Sequence, residues 1–362
     1  MKIIVLGADG YLGLPTCIDL ARDHTVVAVD NLLKRDLLVS NDIHYLHSDV
    51  ELNELDPVFI DVANWESISH LVKRIQPDVI INYAEIPSAP YSMADRKQGM
   101  KTIMNNIKGN LNIIYALKEF SPKTHLIKLG TLGEYGTPNI DIEEGYLDVT
   151  HNGRTDRMLY PKSPFSIYHL SKVHDSDALA FASRVWGLRV TDLNQGFVWG
   201  HESDDVRPRF TYDDVFGTAL NRFIVQAVAG HPLTVYGKGN QTRGILNLRD
   251  TLKCIRLAIE NPAGEGEFRV FNQFTESWSI NQIANLIYEV GNDSGLDVKI
   301  DHIQNPRKEK EDHYYNVKND SLMNMGLEPH YLRREDIKSM LEYVSEFKGE
   351  IVNDQIMPRV KW

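Results

Sequence analysis

The first thirteen residues constrain this chain more than any other stretch. Lys2–Leu6 (KIIVL) is a short apolar run that stops at Gly7 of the loop Gly7-Ala8-Asp9-Gly10-Tyr11-Leu12-Gly13. A run of that length bounded by glycine reads as a strand buried on both faces. Helical spacing then begins at Tyr11, with Leu12, Cys17, Ile18 and Ala21 on the apolar side. Three spaced glycines between a strand and a helix let the backbone turn tightly and approach a pyrophosphate closely. The helix start adds unpaired N–H groups and a positive dipole end for phosphates. A glycine-rich turn with no ligand is the bland alternative. The second β-branched run, Thr25–Val29, argues against it because it ends at Asp30. A carboxylate there accepts both ribose hydroxyls and repels a 2′-phosphate, which favours NAD over NADP.

Strand-like runs recur at Pro57–Ile60, Asp78–Tyr83, Thr124–Leu129 and Leu188–Leu193. Helical patterns separate them at Trp65–Ile75, Gln98–Glu119 and Phe165–Trp186. This alternation predicts an α/β fold with a doubly wound parallel sheet. After Gly200 the register changes. His201–Arg209 is polar and irregular, Asp213–Ala229, Asn281–Val290 and Ile337–Phe347 have helical spacing, and Gly244–Leu248 and Phe268–Phe271 read as strands. The expected organisation is a nucleotide-binding domain over 1–196, with 244–275 returning to it. A smaller mixed domain over 197–243 and 276–362 would hold the substrate. The expected cofactor contacts are Gly7, Asp9, Gly10, Tyr11, Leu12 and Gly13 in the loop. Asp30, Asn31 and Arg35 follow the second strand, with Lys34 beside them, Asp61 and Val62 follow the third, and Tyr83 follows the fourth.

Tyr168 and Lys172 stand four residues apart, so on a helix they share one face. An ammonium beside a phenol, together with the positive nicotinamide, favours the phenolate and lowers its pKa. Such a phenolate takes a proton from a hydroxyl while hydride leaves the same carbon for NAD. Both residues are therefore placed at the cofactor as well. Thr131 ends the fifth strand, where a hydroxyl faces the crevice of a doubly wound sheet.

The net charge of −11 argues against a nucleic acid or an anionic membrane as the main partner. No run has the ~20 apolar residues of a membrane span. No leader pattern is visible, and a cytoplasmic location is expected. Cys17 and Cys254 have neither metal-ligand nor disulfide-framework spacing, and Cys17 reads as core packing. No metal site is expected.

The glycine loop, Thr131, Tyr168 and Lys172, in this order and in these contexts, resemble the extended short-chain dehydrogenase/reductase superfamily of nucleotide-sugar epimerases and dehydratases. Longer segments narrow the resemblance: SAPYSM at Ser88–Met93, KLGTLGEYGTPNID at Lys128–Asp141, THNGRTD at Thr150–Asp156, YHLSKVHD at Tyr168–Asp175 and HPLTVYGKGNQTRG at His231–Gly244. They are similar to the UDP-sulfoquinovose synthase family. That resemblance implies UDP-glucose and sulfite as substrates and bound NAD as the cofactor. C4 oxidation, loss of the C6 hydroxyl, sulfite addition at C6 and C4 re-reduction would follow in turn.

The resemblance further implies substrate contacts at Thr131, Asn194, Thr234, Tyr236, Arg243 and Arg307. Arginine suits the diphosphate because its planar fork binds bidentately. It also implies a homodimer through the helices at Gln98–Glu119 and Phe165–Trp186. Two departures stand out. Sugar 4,6-dehydratases resemble TDEVYG where this chain has Thr131-Leu132-Gly133-Glu134-Tyr135-Gly136. Their acidic pair is thus Leu132-Gly133 here, which leaves Glu134 and His169 as candidates for chemistry at C5 and C6. Plant members carry Gln-Arg where this chain has Ile86-Pro87, so the sulfite cation must be another, with Arg96, Arg154 and Lys162 as candidates. A UDP-sugar 4-epimerase, a 4,6-dehydratase and a non-catalytic NAD-sensing protein stay open as alternatives.

Overall fold

The alternating apolar runs assemble into one seven-stranded parallel sheet. Its order is Val58–Phe59, Thr25–Asp30, Lys2–Leu6, Val79–Asn82, His125–Thr131, Arg189–Gln195 and Phe268–Gln273. The computed structural model describes residues 1–39, 45–46, 52–203, 206, 208–307, 310 and 312–362. Of the polar segment His201–Arg209, residues 204, 205 and 207 lie outside the described residues. The winding runs outward from Lys2–Leu6 to one edge, then returns to Val79–Asn82 on its other side. That reversal leaves a crevice above the carboxyl ends of the two strands.

Neighbouring residues on a strand feed opposite cores, as a sheet covered on both faces requires. Ile3, Val5 and Ile81 pack with Leu14, Cys17 and Leu20 of the helix Gly13–Ala21 and with Cys254 and Ile255 of the helix Leu248–Glu260. Ile4, Leu6 and Ile80 pack on the other face against the helices Trp65–Ile75, Arg96–Phe120 and Ile167–Trp186. Cys17 is fully buried among apolar neighbours.

A third core lies outside this sandwich. It joins the helices Ala219–Ala229, Ile280–Asp293 and Arg334–Glu346 around Phe210, Phe223 and Trp199. The helix expected from Asp213 starts later, at Ala219. Asp213 Oδ1 accepts the N–H groups of Val215 and Phe216 in a turn, and Thr218 caps the helix. Strand Phe268–Gln273 lies at the edge of the main sheet, whereas Thr242–Asn247 pairs with Phe197–Trp199 and Glu276–Ser279 in a separate three-stranded sheet. One element absent from the sequence reading is the exposed hairpin Tyr146–His151 and Arg154–Leu159. Asn152 and Gly153 form its turn with φ of 49° and 75°. That is the conformation an Asn-Gly hairpin adopts.

Among the described residues no helix is long and apolar enough to cross a membrane. Ile81 is fully buried in a central strand. Ile81→Ala should lower the unfolding free energy by about 2–5 kcal/mol. Urea denaturation checks this, and a loss under 1 kcal/mol would mean that the site collapses around the shorter side chain.

Candidate active site

The crevice at the sheet reversal is a cleft of about 450 Å³. One wall is the glycine loop. Gly7 has φ +83°, and a Cβ there would stand 2.7 Å from the carbonyl carbon of Tyr83. A Cβ on Gly13 would stand 2.0 Å from the Gly7 oxygen. The loop is therefore drawn tight, with no room for side chains at either position. The helix that begins at Gly13 has no side-chain cap. Leu14 N–H donates to the Gly10 carbonyl, Thr16 N–H donates to the Leu12 carbonyl, and Pro15 has no N–H. It is therefore the N–H groups of Leu12 and Gly13 that an anionic ligand would meet. Asp30 accepts the N–H groups of Asp9 at 2.8 Å and of Leu32 at 2.7 Å, which joins the loop to the second strand. Loop glycines, Asp30 and an uncapped helix start fit a dinucleotide pyrophosphate and ribose.

Gly7, Asp9, Gly10, Tyr11, Leu12, Gly13, Asp30, Asn31, Val62 and Tyr83 all line the cleft. Two expected contacts lie elsewhere. Arg35 clasps Asp9, with Nε 3.0 Å from Oδ2 and Nη2 2.7 Å from Oδ1. Asp61 is exposed and accepts the N–H of Ala63 at 2.8 Å. The sequence reading missed Arg209, whose Nη1 lies 2.7 Å from Asp9 Oδ1. Nothing in the local spacing marks it, because it is distant in the chain.

Thr131, Tyr168, His169 and Lys172 meet on the facing wall. Ser166 starts their helix by accepting the His169 N–H at 3.1 Å. Thr131 ends its strand and accepts the Gly133 N–H at 3.2 Å. Lys172 Nζ lies 5.8 Å from the Tyr168 ring centre and donates to the Leu129 carbonyl. It also lies 2.6 Å from Glu85 Oε2, a buried ion pair that the sequence reading missed. The protein's own groups do not by themselves produce the lowering of the Tyr168 pKa expected from Lys172 and the positive nicotinamide together. Burial, and then the Glu85 carboxylate, push the phenol above its usual range, and Lys128 and the Thr131 hydroxyl offset this only in part. Lys172 cannot favour the phenolate strongly while its charge is matched by Glu85.

His169 is pushed from the usual 6.5 down to about 3, first by burial and then by Arg307, Arg243 and Lys172. It is a neutral imidazole at neutral pH. Its Nε2 would lie 2.4 Å from a Cβ on Gly133, and its Nδ1 lies 3.1 Å from Ser166 Oγ. The space that a side chain at position 133 would fill is thus occupied by the His169 ring.

Glu134 is not in the cleft. It is fully buried behind the wall, with Lys162 Nζ 2.6 Å from Oε2, and it accepts the Ser176 hydroxyl at 3.0 Å. Burial raises its pKa, opposed by Lys162 and Lys128. The candidate sulfite cations fail similarly. Lys162 serves Glu134, while Arg96 and Arg154 are exposed away from the cleft.

Away from the glycine loop, Tyr236, Arg243 and Arg307, the residues expected at the nucleotide, line the cleft. The guanidinium of Arg307 stands 5.7 Å from the Tyr236 ring centre and 5.3 Å from that of Trp362. Arg222, unmarked in the sequence reading, donates to the Tyr236 hydroxyl at 2.5 Å. Asn194 and Thr234 are buried away from the cleft. Asn194 donates to the Tyr135 hydroxyl at 2.8 Å, and Thr234 is bonded through both N and Oγ1 to Gln226. Both hold the frame.

Residues 3–272 match the NAD dependent epimerase/dehydratase family. The chain is 47% identical to the chloroplastic UDP-sulfoquinovose synthase of Spinacia oleracea, with 100% of this chain and 79% of that protein covered. It is 40% identical to UDP-sulfoquinovose synthase of Sulfolobus acidocaldarius, covering 100% of this chain and 98% of that protein. A UDP-glucose 4-epimerase of Thermotoga maritima, solved with UDP-glucose, has the same fold. Its TM-score is 0.73 at 20% identity, covering 96% of this chain and 99% of that one.

The displaced His169 titration has a sign that can be measured. The folded imidazole stays unprotonated down to about 3, whereas an unfolded one takes a proton below about 6.5. Stability therefore rises with pH through that window and is lost as pH falls. Between about pH 6.5 and 5 the urea midpoint of His169→Gln should fall less steeply than that of the unsubstituted chain. Parallel curves would show that His169 titrates normally.

Proposed function

Because the chain belongs to the NAD dependent epimerase/dehydratase family, and within it to the UDP-sulfoquinovose synthases, we propose that it makes UDP-sulfoquinovose from UDP-glucose and sulfite. The observation that carries this reading is the His169 ring over Gly133, inside the same cleft as Thr131, Tyr168 and Lys172. NAD, when bound, takes hydride from C4 of the sugar and returns it there. Gly7, Gly10, Gly13 and Asp30 hold that cofactor, with Asp9, Tyr11, Leu12, Asn31, Val62 and Tyr83 around it. Tyr168, as the phenolate that the positive nicotinamide would favour, takes the proton of the C4 hydroxyl as hydride leaves C4, and Thr131 orients that oxygen.

His169 serves C5 and C6. A neutral imidazole is able to take the C5 proton that the C4 ketone acidifies and pass it to the departing C6 hydroxyl. Sulfite, a soft sulfur nucleophile, then adds at the electrophilic C6 as bisulfite, whose proton passes through the His169 imidazole to C5. Arg243 and Arg307 hold the diphosphate, and Tyr236 lies toward the uracil. The working unit is a homodimer in the cytoplasm. Exposed Met100, Met104, Leu111 and Tyr115 on one long helix and Phe181 and Val185 on the next support that pairing.

The NAD-loaded protein given UDP-glucose with sulfite should yield a UDP-sugar whose mass includes a sulfonate, and without sulfite it should not. Sulfite-independent UDP-galactose would sink the reading and leave an epimerase. Tyr168→Phe should still bind UDP-glucose while turnover falls roughly 10²–10⁴-fold. Near-normal turnover would remove Tyr168 from its role.

A further inference from the structure

Glu85 sits on the loop that follows Val79–Asn82 and lines the cleft. Its neighbours fix it there. Asn106, fully buried on the helix Arg96–Phe120, accepts the Ile86 N–H at 2.9 Å and donates to Ser171 Oγ at 2.9 Å. One amide side chain thus ties the Glu85 loop to the helix that carries Tyr168 and Lys172. The Glu85 and Lys172 side chains are 2% and 3% exposed, and at 2.6 Å the pair is sealed from solvent screening. Apart from Lys172, the Glu85 oxygens have no hydrogen-bond partner among the described residues.

We propose that Glu85 is a positioning residue of the reaction: by pairing with the Lys172 ammonium it makes the Tyr168 oxygen the stronger base, so that the proton the phenolate takes from the sugar hydroxyl stays on the tyrosine until it is returned. This rests on the function proposed above. A tyrosine–lysine pair with no counter-ion releases its proton readily. A reaction that oxidises C4, remodels C5 and C6, and then reduces C4 again is better served by a pair that retains it. The charged and titratable groups facing Tyr168 come from several elements. Glu85 lies on the loop, Lys128 and Glu134 belong to the strand His125–Thr131 and the turn after it, and His169 and Lys172 share its helix. Asp175, one turn beyond Lys172, faces Glu85, Lys128 and Lys172. The effect of Glu85 on Tyr168 is second only to that of burial.

The test is read on the NAD-loaded protein without substrate. Tyrosinate absorbance is titrated in the unsubstituted chain, in Glu85→Gln and in Glu85→Asp, each paired with its Tyr168→Phe counterpart so that the difference isolates Tyr168. Glu85→Gln should move the Tyr168 midpoint to lower pH by about one unit or more, the size expected when one nearby charge is removed. Glu85→Asp, which keeps the charge, should stay within half that shift of the unsubstituted chain. A Tyr168 midpoint that is the same in Glu85→Gln as in the unsubstituted chain overturns the proposal. So does an equal shift in Glu85→Asp, which would mark a packing role. Because no sugar is present, a failure of the sulfosugar reading leaves this measurement intact, and the two ideas fall separately.

Discussion

A lysine side chain in the middle of a parallel sheet has to be answered, and the answer organises this molecule. Lys128 is fully buried on a central strand, flanked at 3.9 Å by Glu134 and at 3.9 Å by Asp192. Burial opposes its charge, but Asp192, Glu134, Glu85 and Asp175 together hold it firmly protonated. The Ser176 hydroxyl links the acids, lying 3.0 Å from Glu134 Oε2 and 2.6 Å from Asp192 Oδ2. The helix that bears Ser176 also bears Tyr168 and Lys172, so the buried cluster fixes the helix against the strand that ends in Thr131. Breaking such a cluster costs several kcal/mol because a bare charge is left behind. The position of the cleft wall that carries Thr131, Tyr168 and Lys172 is therefore set from underneath.

The same cluster explains why the groups near the cleft differ in character. Lys128, Lys162 and Lys172 face Glu85, Glu134, Asp175 and Asp192, so the carboxylates outnumber the cations by one. Asp175 answers the excess. Its oxygens have no hydrogen-bond partner among the described residues, and burial and Glu85 raise its pKa well above the usual carboxylate value. His169 is driven neutral by burial first and then by Arg307, Arg243 and Lys172. A phenol, a neutral imidazole and a matched lysine sit side by side, the first two set by burial before their neighbouring charges and the third by its ion pair with Glu85.

The parts readable from the sequence were those set by local spacing. Glycines at 7, 10 and 13 after a five-residue strand allow one backbone path, and Tyr168 and Lys172 at helical spacing share one face. What failed was the facing of residues at strand ends and turns. Glu134 is adjacent to the cleft-lining Gly133, yet the turn Leu132–Glu134 rotates it inward to Lys162. Asn194 lies on the strand face that packs against Gly130, where a Cβ would stand 2.1 Å from its Oδ1. Family position gave both residues a place along the chain but not a direction. Glu85 carried no spacing signal, because its partner Lys172 belongs to another element far along the chain. The Asn152-Gly153 turn, in contrast, carried a clear hairpin signal that the parallel-sheet reading passed over.

The central claim is that one bound NAD takes and returns the same hydride while sulfur enters at C6. UDP-glucose carrying deuterium at C4, turned over with sulfite by the NAD-loaded protein, tests it by product mass and position of the label. The account predicts a sulfonated UDP-sugar that keeps its deuterium at C4. A sulfonated product that has lost the label, or a labelled product with no sulfur, would contradict it.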